Sequence, residues 1–454
     1  MKQEQARGNK PARRFLPVLL IVLLPILFLQ CSDPLTEPVA QAPEAKLSLS
    51  KVQVSNPYFE YPNFISVPSS NWPQDPWTGD LVVYAHGYYA FNEVWHPLND
   101  KVDDTPIAGI VNKLGFAYAS TAYSTTGLAV EGGVKDLTDL VDLFVNLNSP
   151  ASGPRVLPRH IYLVGPSEGG LITTLALEKT NGIFNGGLAM CGPIGDFRKQ
   201  MDYFGDFHVV FNYFFPSTGL GFSLGSPSLV PEEAIAQWNN NYKGKVETAA
   251  AASPWLTGQL LSVTKAPYDL LNPSTSRVTT VVDILWYNVF ATNDANTKLS
   301  GCPYGNRGRW YWGSLNDFKL NVGVERFTSS QTALNRINKF YQTSGRLNSQ
   351  LVTLHTLGDP IIPYWHATLY GHKVFSTGSG WRYAHIPILR YGHCKFNVAE
   401  VLVGFAVLVL KVTGQDLVAS EKAFPSMESQ LEFLRLSRQH GANPRIAVSV
   451  SASQ

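Results

Sequence analysis

The chain has 454 residues, 44% of them hydrophobic and 12% aromatic, with 15% charged and a formal net charge of +2. That length and apolar content bury a large core, and one big domain carrying an insertion suits them better than several small domains. The near-neutral balance and the lack of any basic run in the body argue against nucleic acid as a partner, and the four cysteines show no metal-ligand spacing.

Lys2, Arg7, Lys10, Arg13 and Arg14 precede an apolar run, residues 15–29, that ends at Gln30, Cys31 and Ser32. A basic head followed by a short apolar stretch has the form of an export signal. The run contains Pro17 and Pro25, and its length falls short of the roughly 20 residues that a membrane-spanning helix needs. With a cysteine at its end it resembles a bacterial lipoprotein signal, although Gln30 is bulkier than the small residue usual before that cysteine. The resemblance implies lipidation at Cys31 and attachment to a membrane through that lipid, in the cell envelope; plain secretion is the alternative. Residues 1–31 are therefore expected to be a signal segment, and residues 32–48, rich in Pro, Ala, Glu and Ser, a flexible tether.

From Asp80 the sequence reads DLVVYAHGYYAF. Residues 81–85 predict a buried strand that ends at His86-Gly87, with His86 read as a brace for the following loop. Residues 114–121 predict a second strand. Residues 133–147 carry apolar side chains at Val134, Leu137, Leu140, Val141 and Phe144, the stripe of an amphipathic helix, on which Asp136 and Asp139 are expected to be solvated.

Residues 161–164 (Ile, Tyr, Leu, Val) predict a third strand, and Gly165, Ser167 and Gly169 then fit G-x-S-x-G ahead of a helical pattern over residues 171–178. Strand, sharp turn and helix together lift the Ser167 hydroxyl into the open and aim the Glu168 backbone N–H at whatever binds beside it. The Glu168 side chain is left open between a surface ion pair and a charge that repels anionic substrates. A further short strand is expected within residues 186–193. Alternating strands and helices predict a mostly parallel sheet with helices on both faces.

Residues 194–349 break this rhythm with aromatic-dense patches such as MDYFGDFHVVFNYFFP and RWYWGSLNDF. A segment of that size is too long for a strand connection, and it is read as a lid inserted over the site.

A serine hydroxyl needs a base to take its proton and an acid to hold that base. Residues 351–354 predict a strand whose exit loop carries Asp359, and Tyr391-Gly392-His393 precedes a helix from about Val398. The order is Ser167, Asp359, His393. His355 reads as packed beside the acid, and His366 falls on the next helix.

These landmarks, His86-Gly87, Gly165-Pro166-Ser167-Glu168-Gly169, Asp359 and Gly392-His393, resemble the α/β-hydrolase superfamily of serine esterases and peptidases. The resemblance implies an α/β-hydrolase core over residues 49–193 and 350–454, with Ser167 as nucleophile, His393 as base and Asp359 as its orienting acid. It places the oxyanion donors at the backbone N–H groups of Tyr88, with Tyr89 as the alternative, and Glu168, and it implies no cofactor and no metal. The expected substrate is a small or oligomeric carboxylic ester. A lid-bearing peptidase of the prolyl oligopeptidase type and a non-catalytic surface binding protein are the alternatives. The pair His393-Cys394 also resembles the tannase and feruloyl esterase family, in which that cysteine bonds to one directly before the serine. Here that position is Pro166, so the family's bridge cannot form, and Cys191 is the alternative partner beside a reading of two buried thiols.

Overall fold

Leu81 to Tyr84 are each 2% exposed or less, because their side chains alternate between two apolar layers. A strand buried on both faces lies inside a sheet covered by helices. The computed structural model describes residues 50–54, 62–68, 77–148 and 155–447; the expected signal segment, Cys31 and the expected tether lie outside the described residues.

One eight-stranded sheet organises the chain from Leu49 onward. Its strands are β1 (Ser50–Val54), β2 (Asn63–Val67), β3 (Leu81–Tyr84), β4 (Ala117–Thr121), β5 (Ile161–Pro166), β6 (Gly186–Met190), β7 (Gln350–Gly358) and β8 (Tyr383–Tyr391). They lie in the order β1-β2-β4-β3-β5-β6-β7-β8. β2 runs antiparallel to both its neighbours, and β3 through β8 are mutually parallel. The connecting helices are α1 (Ile107–Lys113), α2 (Val130–Asn148) and α3 (Glu168–Lys179). This is an α/β-hydrolase fold. The antiparallel β1–β2 edge comes from a stretch in which no strand was anticipated.

Helices cover both faces. Leu81, Val83, Leu163 and Ala189 pack against α2 and α3, while Val82, Tyr84, Val164, Leu188 and Leu354 pack against the apolar helix at Val398–Thr413. Between β6 and β7 the chain leaves the sheet and forms α4 (Phe197–Phe214), α5 (Lys243–Ala252), α6 (Pro254–Thr264) and α7 (Pro273–Lys298). These helices have their own core around Phe207, Phe211, Trp238, Leu260, Val281 and Leu285. The chain then returns through α8 (Trp365–Ser376) and α9 (Val398–Thr413). Among the described residues no helix is long and apolar enough to cross a membrane.

Two local expectations change. β7 runs four residues past Leu354 to Gly358 because the polar side chains that follow are satisfied: Thr356 donates to the Gly392 carbonyl at 2.7 Å, and a His355 ring nitrogen lies 2.7 Å from the Ile362 carbonyl oxygen. Asp136 is not solvated: it is buried and accepts from the Ser124 N–H and hydroxyl at 2.9 and 2.8 Å, which fastens the loop leading into α2.

Candidate active site

The sharp turn at Ser167 is dictated by what surrounds it. Ser167 sits at φ 53° and ψ −122°, a strained conformation for a residue with a side chain, directly before the first residue of α3. A Cβ on Gly165 would strike the backbone of Gly169, and one on Gly169 would strike the carbonyl oxygens of Ala85 and His86. Glycine at both positions lets β5, α3 and the end of β3 approach this closely. The Ser167 N–H donates to the Met190 carbonyl at 2.8 Å, tying the turn to β6.

The end of β7 supplies the acid. Asp359 is wholly buried, and its Oδ1 accepts from the N–H groups of Ile361 and Ile362, each at 2.9 Å. Its other oxygen, Oδ2, lies 2.8 Å from His393 Nδ1, and His393 Nε2 lies 2.9 Å from Ser167 Oγ. The carboxylate fixes the tautomer: Nδ1 donates to Asp359, leaving Nε2 to accept the serine hydroxyl. The three residues, distant in sequence, thus form one hydrogen-bonded chain at the carboxyl edge of the parallel strands. His355 lies behind it, 3.6 Å from Asp359 Oδ2, and burial lowers its pKa, so it stays neutral there.

The His393 loop is held from several sides. The Gly392 N–H donates to the Gly358 carbonyl at 3.1 Å. Arg390 forms a two-pronged pair with Glu400, the residue that closes the capping box of Asn397 at the start of α9. A disulfide joins Cys394 to Cys191, at the end of β6, across 203 residues. The two-thiol reading of these cysteines therefore gives way to a bridge; among the described residues Cys302 is the free cysteine.

On the far side of Ser167 runs the loop after β3. Gly87 faces the serine: a Cβ placed on it would sit 3.5 Å from Ser167 Cβ, in ordinary contact. His86 braces this loop, its Nδ1 2.6 Å from the Gly87 carbonyl oxygen and its ring packed among Tyr89, Trp95 and Tyr123. Burial lowers its pKa to about 4, so the ring is neutral. The Tyr88 hydroxyl donates to the Phe290 carbonyl of α7 at 3.1 Å, and its ring faces the cleft. Glu168 opens α3, so its N–H has no acceptor within the helix.

The Glu168 side chain does not reach the surface. It is 6% exposed and accepts from the Ala129 N–H at 2.7 Å, beside the start of α2. Burial pushes its carboxyl up to about 8, with the backbone donors of Ala129 and Val130 pulling the other way. The expected choice between surface ion pair and repelling charge is replaced by a buried, largely neutral acid.

Above Ser167 opens a cleft lined by Tyr88, Ser167 and Glu168 below and by Phe204, Tyr287 and Ala291 of α4 and α7 above. His366 anchors the start of this helical layer, accepting from the Gly195 N–H at 3.0 Å and bonding Gln200 at 2.8 Å. Sequence reading did not single out the cleft residues on α4 and α7, since aromatic side chains that line a cavity and those that fill a helical core are alike in composition. Cys191, His393 and Cys394 bring three donor atoms within 4.8 Å of one another, but the bridge occupies both sulfurs.

No protein-family model matches the chain, and no curated protein does. Solved structures do. Feruloyl esterase B from Aspergillus oryzae is 14% identical with a TM-score of 0.41, over 81% of this chain and 81% of that one. Acylaminoacyl peptidase from Pyrococcus horikoshii is 12% identical with a TM-score of 0.36, over 77% of this chain and only 38% of the peptidase. A variant of the rice cell wall degrading esterase LipA from Xanthomonas oryzae is 10% identical with a TM-score of 0.36, over 77% of this chain and 84% of that one. Likeness at this level says nothing about substrate.

Proposed function

We propose that this protein is a serine hydrolase that cleaves a carboxylic ester through an acyl-enzyme, with Ser167 as nucleophile, His393 as general base and Asp359 as the acid that orients it. The observation that carries this reading is the unbroken chain from Asp359 Oδ2 through both His393 nitrogens to Ser167 Oγ, at 2.8 and 2.9 Å. A non-catalytic binding protein has no use for a buried carboxylate holding an imidazole against a serine at a strained turn.

His393 takes the hydroxyl proton as Oγ attacks the ester carbonyl carbon. Asp359 stabilises the imidazolium that forms. Negative charge then builds on the carbonyl oxygen, and the N–H groups of Glu168 and Tyr88 receive it, each such donor being worth about 3 to 4 kcal/mol in the transition state. Collapse expels the alcohol, which takes the proton back from His393. Water, activated by the same imidazole, releases the acid.

The apolar lining of the cleft supports an ester with a substantial apolar arm, and the helices of residues 194–349 act as its lid. The N-terminal pattern supports export and attachment to the cell envelope through a lipid on Cys31. The test of the activity is hydrolysis of p-nitrophenyl esters from acetate to palmitate beside peptide p-nitroanilides, with Ser167→Ala as control. Ester turnover that the substitution abolishes is the expected result; anilide cleavage without ester preference would replace the esterase with the peptidase.

A further inference from the structure

The cleft lining is mostly apolar. The rings of Tyr88, Phe197, Phe204 and Tyr287 and the Met201 side chain set its character, and among the described residues no lysine or arginine lines it. Two polar side-chain atoms of lining residues are buried without a partner in the protein, Glu168 Oε2 and Asn288 Nδ2. The Glu168 carboxyl already serves the start of α2 through its other oxygen. The Asn288 amide is different: it is 3% exposed, it sits in the middle of α7, and its Nδ2 has nothing to donate to. Asn296 on the same helix shows the contrast, since its amide donates to the Ser228 carbonyl at 2.9 Å and fastens α7 to the neighbouring loop.

A buried amide without a partner weakens a fold, and a leucine at this position would have packed with no such loss. The surrounding helix face makes room beside it. Ala291, Thr292 and Ala295 follow Asn288 at the spacings that keep them on one side of α7, and all line the cleft. A small-residue stripe flanked by rings, with one unused amide, is shaped for a ligand group that the amide can hold. The absence of any cationic side chain in the lining leaves a carboxylate or phosphate on that ligand without a counter-charge.

We propose that Asn288 is a specificity-determining hydrogen-bond donor, and that the substrate arm entering the cleft is apolar and carries one neutral oxygen acceptor, an ether, carbonyl or hydroxyl, set back from the ester. This rests on the reading of Ser167 as the nucleophile. An arm of pure hydrocarbon leaves the amide unpaired, whereas an arm with the oxygen in register satisfies both groups, so the site discriminates between isosteres of equal size.

The test compares p-nitrophenyl esters of straight-chain acids with isosteres in which one methylene, from the γ position outward, is an ether oxygen. A mirrored series of acetates carries the same change on the alcohol side. Wild type is expected to prefer one oxygen position, in one of the two series, by about tenfold or more in kcat/KM. Asn288→Leu and Asn288→Ala are expected to abolish that preference while hydrocarbon esters are still turned over. Turnover of hydrocarbon esters with no preferred oxygen position, or a preference that survives both substitutions, overturns this inference alone. Loss of turnover of every ester by the folded wild type overturns it together with the esterase reading.

Discussion

The floor and the roof of the cleft are built on opposite terms. In the floor, each group proposed to react sits one to three residues beyond the end of a parallel strand, and backbone fixes it: Ser167 by the Met190 carbonyl, Asp359 by two N–H groups, Gly392 by the Gly358 carbonyl. In the roof, α4 and α7 present side chains, and a separate core with partly buried polar links holds the helices. Arg309 reaches Asp202 at 2.7 Å and also pairs with Asp206, whose Oδ1 accepts from Tyr311 at 2.6 Å and from Tyr304 at 2.9 Å. The difference separates two tasks. On the proposed function, chemistry falls to the part whose geometry the sheet dictates, and selectivity to the part whose surface can change without moving a reacting atom.

Damage to the floor should therefore be severe and general, and damage to the roof mild and selective. The largest effect expected is from Ser167→Ala, a loss of about 10⁴-fold or more in kcat with the melting temperature retained. Gly169→Ala should follow with a stability loss of about 4 kcal/mol or more, read as failure to recover soluble protein, because its methyl group has only backbone carbonyls to meet. Opening the Cys191–Cys394 bridge with a dithiol, or by Cys394→Ser, is expected to cost about 2 to 5 kcal/mol and to lower kcat, since the same link holds the His393 loop. Denaturant melts with and without reductant, with Cys302→Ser as control, would measure it.

The roof gives smaller numbers. Arg309→Met should lower stability by about 1 to 3 kcal/mol, discounted because the arginine is 30% exposed. It should also shift the ratio of long-chain to short-chain ester turnover while leaving the reactivity of Ser167 towards a small phosphonate intact. Equal losses on all substrates would break the division between floor and roof. A further effect of the floor concerns pH. Glu168 has a folded pKa raised from 4.5 to about 8, so the folded chain keeps a proton that the unfolded chain releases across that window. Stability must then fall as pH rises through it. Glu168→Gln, which mimics the neutral acid, should flatten the decline in melting temperature between about pH 5 and pH 9, and an unchanged slope would return the carboxyl to its ordinary range.

How legible each region is in sequence follows from the same contrast. The strands at Leu81, Ile161 and Gly186 and the turn at Ser167 are local patterns, readable because burial on both faces demands continuous apolar runs and the tight turn demands glycine. Asp359 and His393 were legible as residues that follow strand signals, and the fold brings them to Ser167. What stayed hidden depends on distant partners. Asp136 looked solvated because Ser124 lies outside its helix, and Glu168 was left between a surface ion pair and a charge repelling anionic substrates because nothing nearby in sequence shows α2 starting against it. The Cys191–Cys394 bridge was one of two readings open in the sequence, and what decides for it is the placement of β6, β7 and β8 side by side. Phe204 lay in an aromatic patch that did not separate lining from core, and Tyr287 and Asn288 carry no local signal, since α4 and α7 face one another only after a long excursion of chain.

The central claim is that Ser167 is made nucleophilic by His393. Its most direct test needs no knowledge of substrate: treat the folded protein with a fluorophosphonate and locate the adduct by peptide mass spectrometry, in wild type and in His393→Ala. The expected result is one phosphonyl group, on Ser167, whose formation slows by orders of magnitude in the variant. A folded wild type that remains unlabelled, or that is labelled at Ser167 equally fast without the imidazole, would contradict the account.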